Sequence, residues 1–92
     1  MITEEAIIEA AMAIKTANTV SGVNQEMLEE ARQMHLEAQL CWDFIAAENS
    51  MGFHNPTEAL RIMASATDIA RQAQITAITA SVQGMDVQTS KP

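Results

Sequence analysis

Leu28, Ala31, His35, Ala38, Trp42, Ile45 and Asn49 follow one another at alternating steps of three and four residues. This seven-residue repeat constrains the chain more than any other feature. It keeps one face of a long helix turned toward a neighbour, so the helix must pack nearly parallel or antiparallel to another. Met27, Met34 and Cys41 flank the stripe and Phe44 widens it. The opposite face carries Glu26, Glu29, Glu30, Gln33 and Glu37, as a solvated surface would. Asn24 is placed to cap the helix start, and the pattern predicts a helix over about 24–50.

The partners of this helix are legible on either side of it. Upstream, Thr3 reads as an N-cap, with Glu4 and Glu5 suited to the positive end of the helix dipole. Ile7, Ala11, Ile14 and Asn18 share a face with Ala10 and Ala17 beside it, which predicts a helix over about 3–18. Thr19-Val20-Ser21-Gly22-Val23 then reads as a connector. Downstream, Gly52-Phe53-His54-Asn55-Pro56-Thr57-Glu58 stops one helix and starts the next. Asn55 can cap, Pro56 occupies the first helical position where its missing N–H costs nothing, and Glu58 completes a capping box. Ala59, Ile62, Met63, Ala66, Ile69, Ala70 and Ala73 form the expected buried stripe of a helix over about 56–82. Glu58/Arg61 and Asp68/Arg71 are spaced for surface ion pairs. From Gly84 to Pro92 the sequence reads as a frayed tail.

Composition supports an all-α chain: two prolines and three glycines leave few interruptions in 92 residues rich in good helix formers. The expected architecture is two long helices joined by a tight Gly-Phe-His-Asn-Pro turn and preceded by a shorter helix. Alanine-rich faces bury little apolar area, so the bundle is expected to be incomplete or self-associating. A net charge of −7 with scattered basic residues argues against nucleic acid and against an anionic membrane surface. No apolar run is long enough for membrane insertion. The first residues lack the pattern of a signal peptide, so a free-standing chain of this sequence is expected in the cytoplasm.

The single cysteine excludes an internal disulfide and every multi-cysteine metal or covalent-haem motif. Its neighbours Leu40 and Trp42 suggest that Cys41 is a buried, inert thiol. His35, on the apolar stripe, reads as a core histidine bonded to a neighbour. The helical di-metal motif needs a glutamate three residues before each histidine, and Arg32 and Met51 stand there instead. The seven methionines, spread over three helices, read as packing. His54 has two readings: a ligand held between a tight glycine and a proline-started helix, or a polar turn residue bonding a helix-end carbonyl. No hydrolase triad, phosphate loop or acid–base pair is present.

From about Leu28 to Gln74 the chain resembles the C-terminal helical region of the ammonia-forming cytochrome c nitrite reductases, the pentahaem enzymes, and the octahaem relatives look similar. The resemblance rests on Ala38-Gln39, the Trp42-Asp43 pair, the Gly52-Phe53-His54 turn and the Pro56-started helix, in that order. It implies that His54 is the distal axial ligand of one bis-histidine electron-transfer haem, a haem c attached outside this chain. It implies further that the long helices contribute to a homodimer, that the partner is the remainder of a multihaem nitrite reductase, and that the setting is periplasmic. His35 and Cys41 match no ligand of that family. The chain lacks Cys-x-x-Cys-His and Cys-x-x-Cys-Lys, and the family's active-site Lys, Arg, Tyr and His lie before this region. The segment is therefore expected to be non-catalytic alone. The rival reading is a free-standing helical protein-interaction module with no haem role. A small metal-binding bundle using His35 and His54 with carboxylates ranks behind both.

Overall fold

The computed structural model describes residues 2–50 and 56–89. Three helices account for them: α1 (Ile2–Ala17), α2 (Gln25–Ser50) and α3 (Pro56–Thr89). Among the described residues there is no strand, and the all-α expectation holds. The turn expected at 51–55, with Gly52, His54 and the expected Asn55 cap, lies outside the described residues.

Cross-helix contacts fix the topology. Thr3 meets Thr67 and Glu9 meets Arg71, so α1 runs parallel to α3. The Asn24 N–H donates to the Ala80 carbonyl at 3.4 Å, while Ala38 packs in one cluster with Ala70 and Ala73, so α2 runs antiparallel to both. The assembly is elongated, 61 by 19 by 16 Å.

Ten of the fourteen buried apolar residues are alanine, and Leu28 is the one large side chain that is fully buried among the described residues. Two clusters form along the bundle. One gathers Ala6, Ile7, Ala10, Ala38, Ala70 and Ala73 with Met34, Trp42 and Ile69 against it. The other gathers Ala17, Val23, Leu28, Ala31, Ala77 and Ala80. Small side chains let helix backbones approach closely but remove little apolar surface from water, at about 25 cal/mol per Å². The core is thin.

Several local expectations are met. Asn24 Oδ1 accepts the Met27 N–H at 3.1 Å, as an N-cap does. Pro56 is the first residue of α3, and Arg61 pairs with Glu58.

Others are corrected. Thr3 is no cap: α1 already begins at Ile2, and Thr3 is a buried residue inside it. The α1 face is rotated from the expected one. Thr3, Ala6, Ile7, Ala10 and Ala17 are buried, whereas Ala11 and Asn18 are exposed. Arg71 pairs with Glu9 of α1, and Asp68 instead accepts from Gln72 Nε2 at 2.9 Å. Helix α3 does not end near Val82; it continues through Gly84 to Thr89, where a tail was expected.

Gly84 explains that last difference. A Cβ at this position would lie 2.9 Å from the carbonyl carbon and oxygen of Gly22 and from the Val23 nitrogen. The glycine is there because the α1–α2 connector passes against α3, and it does not end the helix. Gly22 on the other side has φ +82, a conformation L side chains rarely adopt.

Candidate functional site

His54, the ligand expected from the sequence, lies outside the described residues; Ser50 of α2 and Pro56 of α3 flank the five positions that contain it. The described residues nearest in sequence show what those helix ends offer. Ile45 is buried and Trp42 packs against the Ala38–Ala70 cluster, so the C-terminal half of α2 stays seated on α3. Among the described residues Asp43 makes no bond to a neighbouring helix. It accepts from Gln39 Nε2 at 3.1 Å along α2 itself.

Where α1 begins, Ile2, Thr3, Leu60, Met63, Ala64 and Thr67 line an open cleft of about 630 Å³. Leu60 is 65 % exposed on its rim. The cleft floor holds a polar pair that the sequence reading missed. Thr67 Oγ1 donates to the Met63 carbonyl at 2.8 Å, a back-bond within α3. Each hydroxyl has one proton, so Thr3 Oγ1 donates to Thr67 Oγ1 at 2.7 Å. The signal for the pair was weak: two threonines at helical positions that satisfy each other only once α1 and α3 are aligned.

His35 is on the interior stripe of α2, half-buried, as its spacing indicated. The expected bond to a neighbour is not made: its Nε2 is buried and no partner reaches it among the described residues. Cys41 is a free thiol, half-buried rather than enclosed. Leu40, read as a sign of burial, is 59 % exposed, and Phe44 does not widen the core stripe but stands 54 % exposed. Among the described residues, no three of His, Cys, Asp and Glu come together as a metal-binding group.

Electrostatics concentrate on α2. Six of the twelve carboxylates of the chain lie there, against the single cation Arg32. Gln33 Nε2 donates to Glu29 Oε1 at 3.0 Å and Arg32 sits 3.4 Å from Oε2. The Gln33 hydrogen bond, and then Arg32, hold the Glu29 carboxyl below the usual carboxylate range. Arg32 also donates to Asn18 Oδ1 at 3.2 Å, tying α2 to the end of α1.

The described residues thus define an all-helical chain, a thin three-helix bundle whose sequence holds one cysteine and therefore no cysteine pair. Residues 1–92 match the cytochrome c552 family, and the chain belongs to it. It is similar to the cytochrome c nitrite reductase subunit NrfA of Nitratidesulfovibrio vulgaris (Hildenborough), with 31% identity over 99 residues. That match takes in 97% of this chain and 19% of the relative, so the chain spans about a fifth of that protein's length. No solved structure matches it significantly. The resemblance to the nitrite reductases read from the Trp42-Asp43 and Gly52-Phe53-His54 region is thereby borne out. No described helix is long and apolar enough to cross a membrane.

Proposed function

We propose that this chain is a helical segment of a multihaem cytochrome c nitrite reductase that supplies His54 as the distal axial ligand of one electron-transfer haem. The observation that carries this reading is the family match over the whole chain, combined with a hairpin whose two long helices flank the His54 segment. Haem c supplies reversible one-electron chemistry at its iron. This chain's residues fit one part of that assembly only. A single cysteine cannot form the two thioether links of a Cys-x-x-Cys-His site, so the macrocycle is attached elsewhere. His54 would bind as the neutral imidazole, with its second nitrogen bonded to fix the ring. The Asn55-Pro56 helix start would hold the backbone in place. The parent reaction, reduction of nitrite to ammonium, and the periplasmic setting belong to the same reading. So does a homodimer contact through the long helices, for which the exposed Ile75, Ile78 and Val82 of α3 supply apolar surface.

The test is spectroscopic. In the nitrite reductase carrying this segment, His54→Ala should convert one low-spin bis-histidine haem to a high-spin, five-coordinate state, read by electron paramagnetic resonance. An unchanged low-spin spectrum rules out the ligand assignment.

A further inference from the structure

We draw no further inference here: the strongest candidate, the open apolar cleft between the start of α1 and the first turns of α3 lined by Ile2, Thr3, Leu60, Met63, Ala64 and Thr67, carries none because nothing in the structure shows what covers it.

Discussion

The two ends of the bundle are held by different means. At the end where α1 passes to α2, backbone touches backbone: the connector at Gly22 lies against Gly84, and the Asn24 N–H bonds the Ala80 carbonyl. Asn24 Nδ2 also donates to Gln83 Oε1 at 2.9 Å, and Leu28 fills the space beneath. At the other end, α1 starts beside the middle turns of α3, and one hydroxyl pair over an open apolar cleft joins them. Order is built in at the connector. The end toward the His54 segment is held, among the described residues, by fewer polar contacts and keeps an open apolar cleft.

The contrast can be broken most severely at Leu28. Leu28→Ala removes the largest fully buried side chain and should destabilise the fold by about 3 kcal/mol, read by chemical denaturation. Its counterpart at the other end, Leu60→Ala, should change stability by less than about 0.5 kcal/mol, because Leu60 is already in solvent. A Leu60 effect as large as that of Leu28 would erase the distinction between the ends.

Gly84→Ala tests the backbone contact. The added methyl would press on Gly22 and Val23 backbone atoms that cannot rotate away. A loss of about 2 kcal/mol is expected, even though alanine favours helix by about 1 kcal/mol over glycine. A more stable variant would mean that the connector does not sit against α3. Thr67→Val should cost about 1 kcal/mol, since the buried Thr3 hydroxyl loses its short acceptor and can only turn its proton to the more distant Met63 carbonyl at 3.4 Å.

The smallest effect concerns pH. Glu29 has its folded-state pKa depressed, so its contribution is present above the ordinary value of 4.5 and is lost as pH falls through the lower folded value. Thermal unfolding of Glu29→Gln and the unmodified chain should differ slightly at neutral pH and converge in acid. Because the side chain is on the surface, added salt should shrink the difference.

The helices were legible in the sequence because periodicity and caps are local. The stripe from Leu28 to Ile45, the Asn24 cap and the Pro56 start depend on residues within a turn or two of one another. What was not legible depends on contacts between helices. Thr3 looks like a cap until α3 brings Thr67 to it, and Gly84 looks like a helix end until Gly22 lies against it. Phe44 and Leu40 read as core by hydrophobicity alone, yet an alanine seam draws α2 in along Ala31 and Ala38 and leaves them outside. For the site, the sequence supplied His54 through family resemblance, while the described geometry bears on the helices that flank it.

The alanine seam has one more consequence. On α3 the buried alanines repeat every seven residues, Ala66, Ala73 and Ala80 in one row and Ala70 and Ala77 in another. Ala10 and Ala17 of α1 are spaced by the same seven. Sliding α1 along α3 by one heptad, about 10.5 Å, lays alanine on alanine again, so the seam that holds the helices together scarcely distinguishes one alignment from the next. The contacts that do distinguish them are few and dissimilar: a hydroxyl pair at Thr3–Thr67, an ion pair at Glu9–Arg71 and a glycine crossing at Gly22–Gly84. They act as pegs on a graduated rail. Of the three, the glycine crossing tolerates no added side chain on α3.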